Sequence, residues 1–251
     1  MSEILIPLPK TSFEKLLKPV NRLTDSCVLK SSENCLYTLC SSSDNSVILY
    51  GTTQTPLSVD DLKLNIISIK KLLTGLDCLG DSGEFKIVKN ENHIVCKSID
   101  HSSNEENYFK YHLVDDNIIK QSPVKISNIA SLSFDIVFEI STSKMKQIIS
   151  AYSFANEVNK IYFYTKDNSV FIEIDDKDMQ NTDNISLMVS DSFSGNALID
   201  PIATKIEIFK LLSSSKSPIK VKISNNPKVF LFEIQEDENT QLKYIISALV
   251  K

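Results

Sequence analysis

Glycine is scarce, five in 251 residues, so the Gly-rich loops that cradle nucleotide phosphates have little to be built from. Arginine is scarcer: Arg22 stands alone against 26 lysines. No apolar run approaches the roughly 18 residues of a membrane span, and the first residues lack a basic-then-apolar leader pattern, which points to an intracellular protein. No G-x-S-x-G, Walker A or H-E-x-x-H is present. Histidine occurs three times (93, 101, 112) and cysteine five times (27, 35, 40, 78, 96), neither at the paired spacing of a zinc site. The odd, mostly strand-borne cysteines read as buried reduced thiols in a reducing compartment. A net charge of −5 rules out a surface that is basic all over, but leaves room for one basic face.

What is present is best seen in Phe138–Asp175. Met145, Ile148, Ile149 and Tyr152 recur at helical spacing and make one apolar stripe. Two alternating runs follow, Ile161, Phe163 and Thr165 facing one way and Tyr162, Tyr164 and Lys166 the other. Asp167-Asn168 between them marks a hairpin, because both residue types tolerate positive φ. A strand, a helix and a hairpin close a core only if the sheet packs on the helix. The same order recurs along the chain.

Glu3–Leu8 reads as a short strand ending at Pro7 and Pro9. Thr11 and Glu14 have the spacing of a capping box, opening a helix with Phe13, Leu16, Leu17 and Val20 inward and Lys15, Lys18 and Arg22 on the opposite face. Pro19 is expected to kink or end it near Lys18. Strands are expected at Cys27–Ser31, Cys35–Ser41 and Ser46–Thr52, with turns at Glu33-Asn34 and Asp44-Asn45. Asp61–Asn65 leads into a second helix, Ile66–Leu76, buried through Ile69, Leu72, Leu73 and Leu76 and stopped by Gly75 or Gly80. Strands follow at Glu84–Lys89, His93–Ile99 and Asn107–Val114. Asp115–Ser133 has no sustained period and reads as an extended connector.

After the Phe138–Asp175 stretch come strands at Ile185–Ser190 and Asn196–Ile202, the second crossing Pro201. A fourth helix is expected at about Thr204–Ser213, then strands at Ile219–Ser224, Lys228–Gln235 and Gln241–Val250. The halves echo each other: Ile67–Thr74 (ISIKKLLT) aligns with Ile206–Ser213 (IEIFKLLS). Each is followed by an alternating hairpin and each half closes on a Lys-Tyr strand, Lys110-Tyr111 or Lys243-Tyr244. The domains are therefore 1–114 and 134–251, joined by 115–133. Each is α+β and built of two strand–helix–three-strand units.

Catalytic machinery does not emerge. The acidic clusters Asp60-Asp61, Asp115-Asp116, Asp175-Asp176-Asp178 and Glu236–Glu238 all fall in turn-like stretches, where solvated loop charge is the prevailing reading. No enzyme, metal or cofactor is expected.

On these residues, and on the closing motif LKYIISALV (Leu242–Val250), the chain resembles the DNA polymerase sliding clamps. The resemblance covers nearly its whole length and is nearest to the two-domain clamps of T-even-like bacteriophages, with eukaryotic and archaeal PCNA more distant. It departs in a basic complement that is almost all lysine and thin in the third helix. It implies the DNA clamp fold, three subunits closed into a ring, helices lining the hole and sheets outside. Duplex DNA would be encircled without sequence readout, with a replicative polymerase and a clamp loader as partners, in the cytoplasm of an infected bacterial host. Lys15, Lys18, Arg22, Lys70, Lys71, Lys144, Lys146, Lys205 and Lys210 would then meet phosphates; the competing reading is an ordinary solvated helix face. Lysine suits sliding, as a flexible point charge that does not lock register. Ile126, Ile129, Leu132, Ile246 and Leu249 would line a pocket for partner peptides, or else simply pin the connector to its sheet. Asn107–Val114 of one subunit would pair with a strand near Asn184–Ser190 of the next. The rival functional reading is a β-rich viral structural or assembly ring.

Overall fold

The computed structural model describes residues 3–32, 34–56, 62–81, 83–100, 105–155, 157–175 and 183–249. Glu33, Asp60-Asp61, His101, Asp176, Asp178 and Val250, named above, lie outside these. The chain divides into two compact units, Met1–Pro123 with Asp237–Leu242, and Val124–Glu236 with Lys243–Lys251.

The first unit runs β1 (Ile4–Ile6), α1 (Lys10–Leu23), β2 (Cys27–Ser32), β3 (Cys35–Ser41), β4 (Val47–Gln54), β5 (Lys63–Ile66), α2 (Ile69–Cys78), β6 (Glu84–Lys89), β7 (His93–Asp100) and β8 (Glu105–His112). The strands exchange partners: β1 joins the later triplet in the order β1-β6-β7-β8, and β5 joins the earlier one as β5-β2-β3-β4. All pairings are antiparallel. The alternation demanded by a one-sided core is plain in β3, where Leu36, Thr38 and Cys40 are buried and their neighbours half-exposed. The two helices pack on each other, and Phe13, Leu16, Leu17, Val20, Ile69, Leu72 and Leu76 are all fully buried.

Several expectations are corrected in this unit. α1 begins at Lys10 on Pro9, which makes no side-chain cap, so Thr11 and Glu14 lie inside the helix and form no capping box. Pro19 neither ends nor shortens α1, which continues to Leu23; the pyrrolidine ring is buried with the apolar stripe, and packing outweighs one lost backbone bond. Lys63–Ile66 is a strand, so α2 starts at Ile69, where the Ser68 hydroxyl accepts the Lys71 N–H at 3.4 Å. Gly75 does not stop α2 but lies within it, and its missing side chain leaves room for the Phe109 ring, which a Cβ there would meet at 2.8 Å. The helix stops before Gly80, at φ +67°.

The second unit holds α3 (Ile126–Ala130), β9 (Ile136–Ile140), α4 (Thr142–Phe154), β10 (Lys160–Lys166), β11 (Ser169–Ile174), β12 (Ile185–Ser190), β13 (Ser194–Gly195), β14 (Ile202–Lys205), α5 (Ile208–Leu212), β15 (Ile219–Asn225), β16 (Lys228–Gln235) and most of β17 (Thr240–Ser247). The same exchange recurs: β14 joins β10–β12 as β12-β11-β10-β14, and β9 joins β15–β17, with β13 outside it. The Asp167-Asn168 turn has φ of 48° and 61°, the positive pair a tight hairpin needs. The core is aromatic: Phe163 contacts Phe138, Phe209 and Phe230 at ring centroids of 6.1, 6.3 and 5.2 Å, and Phe232 stacks on Phe230.

Here too the structure differs from expectation. The connector is not extended throughout, since 126–130 turn as a helix. Asn196–Ile202 is not a strand; the pairing begins at Ile202, just past Pro201. The fourth helix is only Ile208–Leu212, because Thr204 and Lys205 pair with Ile161 and Lys160 in the sheet. In α4, Met145, Ile148 and Ala151 are buried while Ile149 and Tyr152 are half-exposed.

Candidate functional site

In the first unit the outward faces of α1 and α2 carry the basic residues, but not all of them as open charge. Lys15 is half-buried and its Nζ lies 2.9 Å from Asp237, in the turn before β17. Burial would raise the Asp237 carboxyl, yet the Lys15 ammonium and the N–H groups of Asn239 and Thr240, at 2.9 and 2.7 Å, outweigh it and hold the group below the ordinary aspartate range. Lys18 is exposed and paired with Glu14, one turn back, which Lys10 also approaches at 3.8 Å. The Lys18–Glu14 pair, open to solvent on its lysine side, contributes about 0.3–0.5 kcal/mol, little enough for a phosphate to displace. Arg22 is exposed in the last turn of α1, where a cation suits the helix dipole. Lys70 and Lys71 are exposed in the first turn of α2 and have no ion-pair partner among the described residues.

In the second unit the helix face is nearly neutral. α4 is capped by Ser141, whose hydroxyl accepts the Lys144 N–H at 3.3 Å. Its exposed residues include Ser143, Lys146, Gln147, Ser150 and Ser153, with Lys144 half-buried. Lys144 and Lys146 have no ion-pair partner among the described residues. Lys210 of α5 donates to the Tyr152 hydroxyl at 3.1 Å and stands 4.6 Å from that ring's centre, a cation held by an aromatic face. Lys205 is not on a helix; it is exposed at the end of β14.

The five apolar positions expected to form a peptide pocket all belong to the second unit. Ile126, Ile129 and Leu132 are half-buried along and after α3, Ile246 is buried in β17, and Leu249 is half-buried with its N–H bonded to the Ala203 carbonyl at 2.8 Å. In the first unit the start of the connector is tied down by polar contacts that the sequence did not reveal. Asp116 pairs with Lys63 at 2.5 Å and accepts the Asn65 side-chain N–H at 2.7 Å, and Ile119 is buried. Those two donors, Lys63 first, hold the Asp116 carboxyl low.

Two edge strands stand out. β8 closes one sheet of the first unit with seven of its eight residues at least partly exposed, and Tyr108 is 67% exposed. β12 closes one sheet of the second, with Met188 40% exposed. A cavity of about 760 Å³ beside β12 is lined by Phe138, Lys144, Met188, Phe193 and Lys220 among others. His93 and His112 face each other across β7 and β8 with ring centroids 5.9 Å apart. Partial desolvation, then Lys110 and His112, lower the His93 pKa. Among the described residues no group of three or more His, Cys, Asp or Glu is placed to hold a metal ion. All five cysteines are free; burial pushes the Cys40 and Cys96 thiols up to about 12, leaving them protonated and inert.

With this geometry established, comparison with solved structures is decisive for the fold. The chain matches the crystal structure of the proliferating cellular nuclear antigen (PCNA) of Entamoeba histolytica with a TM-score of 0.74, over 99% of this chain and 98% of that one. This is a sliding-clamp fold. Sequence identity over the match is 13%. No family model and no curated protein sequence matches the chain. Among the described residues, no helix of this clamp fold is long and apolar enough to cross a membrane.

The residues that sequence reasoning missed are of two kinds. Ser68 and Ser141 had a local signal, a serine immediately before an apolar-periodic run. Asp116 and Asp237 had none, since their partners lie far away in sequence, 222 residues in the Lys15–Asp237 pair.

Proposed function

We propose that the chain is a sliding clamp: a non-enzymatic subunit that closes with two copies of itself into a ring around duplex DNA and tethers a replicative polymerase. The observation that carries this reading is the match to a PCNA structure over 99% of this chain and 98% of that one, not over one domain alone. The helix faces supply the chemistry. Lys70 and Lys71, then Lys144, Lys146 and Lys210, offer weak, interchangeable phosphate contacts, and Lys15, Lys18 and Arg22 join them by trading existing partners for phosphate. Lys205, from the end of a strand, completes the set. Binding of this kind is sequence-independent and strongly salt-dependent, so long residence comes from enclosure rather than from grip.

Ring closure uses the two open sheet edges, β8 of one subunit adding to β12 of the next, with Tyr108 and Met188 as apolar anchors. Pairing of this kind covers edges that would otherwise invite aggregation. Partner peptides from the polymerase and the loader dock on the half-buried Ile126, Ile129, Leu132 and Leu249; Ile246, expected among them, is buried in β17 and offers no surface. The nearer kinship to the two-domain clamps of T-even-like phages, and with it a site of action in the cytoplasm of an infected bacterium, rests on the sequence order alone.

Native mass tests the ring directly. The account predicts a species of about three times the 28.2 kDa chain, reduced to monomer by Tyr108→Asp in β8 or by Met188→Asp in β12. A wild-type chain that stays monomeric at micromolar concentration contradicts it.

A further inference from the structure

We propose that the groove beside the first half of β6 receives an extended, apolar, uncharged peptide segment of a partner protein, which adds to the sheet at Phe85. This goes beyond the clamp reading and uses a different surface of the first unit. The groove is a cavity of about 510 Å³ between Leu5–Thr11 on one side and Gly80, Asp81 and Gly83–Lys86 on the other.

Its floor is an unfinished sheet edge. β6 spans Glu84–Lys89, but β1 pairs only with Ile87, Val88 and Lys89. The Asn90 N–H bonds the His93 carbonyl at 2.8 Å, so the backbone groups of Asn90, Val88, Lys86 and Glu84 point to β7, because direction alternates along an antiparallel strand. Those of Lys89, Ile87 and Phe85 point to the β1 side. Lys89 and Ile87 find β1 there; Phe85 finds no strand among the described residues. The chain leaves the sheet after Ile6, where Leu8 turns its N–H back onto the Ile6 carbonyl at 2.9 Å. Pro7 and Pro9 have no N–H to offer. Phe85 therefore presents one N–H and one C=O to the cavity.

An extended backbone satisfies that donor and acceptor together, as a strand added to a sheet edge does. The lining specifies its side chains. Lys86 and Glu84 pair at 3.1 Å, and Lys10 is bound to Asp81 at 2.8 Å and to the Gly80 carbonyl, so the charges of the lining balance one another and an uncharged ligand is favoured. Leu5 is 54% exposed at the rim, with Pro7, Pro9 and Phe85 beside it. The residue paired with Phe85 enters the cavity on the Phe85 side of the sheet, and its neighbours lie along Glu84, Lys86 and Leu5.

The test uses the full chain. Random octapeptides displayed on phage are selected against it, and a selected sequence is synthesised with fluorescein and titrated by anisotropy while amide exchange is followed by NMR. The expected results are threefold. In the free chain the Phe85 amide exchanges about a hundredfold faster than that of Ile87; the peptide slows it; and Phe85→Pro and the exposed-site variant Leu5→Lys each weaken binding about tenfold or more, with Ile199→Lys, at an 88% exposed position of the second unit, as an unaffected control. The proposal is overturned by a Phe85 amide already as protected as Ile87, or by selection that yields no peptide. Selected peptides indifferent to both variants overturn it as well. So does concentration-dependent protection of Phe85 without peptide, which would make a second copy of the chain the occupant.

Discussion

The two units trace one path with different fillings. In the first, the largest fully buried side chains are mainly aliphatic, Ile6, Leu16, Leu17, Leu29, Leu36 and Leu49 around Phe13; in the second they are Phe163, Phe209, Phe230, Phe232 and Tyr244. Yet both make the same exchange of strands between neighbouring triplets. Volume and alternation specify this fold, and residue identity within the apolar class is free to drift, which is how a 13% identical chain keeps the same architecture. The surfaces diverge as well. The first unit's helices carry cations partly engaged by Glu14 and Asp237, whereas α4 presents mostly Ser and Gln around Lys146. If both faces meet DNA, the first should contribute more of the attraction.

The comparison can be broken at several points. The largest effect is expected at Phe163→Ala, which removes one ring from three aromatic contacts and should destabilise the chain by about 3–5 kcal/mol in urea unfolding; a loss below about 1 kcal/mol would mean that the second core is not organised around that ring. Next comes DNA affinity. Replacing both Lys70 and Lys71 by Ala should lower the slope of log affinity against log salt by about 1.8, at about 0.9 per phosphate contact. Lys15→Ala with Lys18→Ala should change it less, because those ammonium groups already have carboxylate partners. Equal slopes for the two pairs would erase the distinction between open and engaged charge.

Ser68→Ala and Ser141→Ala each remove a serine cap, from α2 of the first unit and from α4 of the second, and each should cost about 0.5–2 kcal/mol by thermal unfolding. A clear inequality would show that one helix is held by packing alone. The smallest effect concerns acid. The folded Asp237 carboxyl sits below its unfolded value, so as pH falls the unfolded chain takes up the proton first and folding loses stability. That contribution is complete above the unfolded aspartate pKa of about 3.9 and disappears as pH falls through the folded value. Asp237→Asn should flatten this part of the acid-unfolding curve, and an unchanged curve would mean that the Lys15 contact adds nothing to stability.

Much of this was legible in the chain because it is written locally. Asp167-Asn168 marked its hairpin, the stripe of Phe13, Leu16, Leu17 and Val20 marked α1, and the aligned segments at Ile67 and Ile206 lead into helices that begin at the corresponding positions Ile69 and Ile208. What escaped depends on partners distant in sequence. Lys63–Ile66 is too short to show a period, and is a strand because β2 lies alongside it. Thr204 and Lys205 looked like a helix start but are claimed by β10. By sequence Pro19 should kink α1 or end it near Lys18; the helix does not end there, because the Pro19 face is buried with the apolar stripe. At the candidate interface, the helix-borne lysines were readable from helical spacing, though Lys205 lies on a strand, and their engagement was not readable, since Asp237 lies at the far end of the chain from Lys15.

The central claim is that this chain holds DNA by closing around it, and retention on nicked circular duplex with a clamp loader and ATP tests it most directly. The account predicts that protein loaded on circles survives a high-salt wash and is lost when the circle is cut once. Equal retention on circular and linear DNA, or release from both by salt alone, would contradict it.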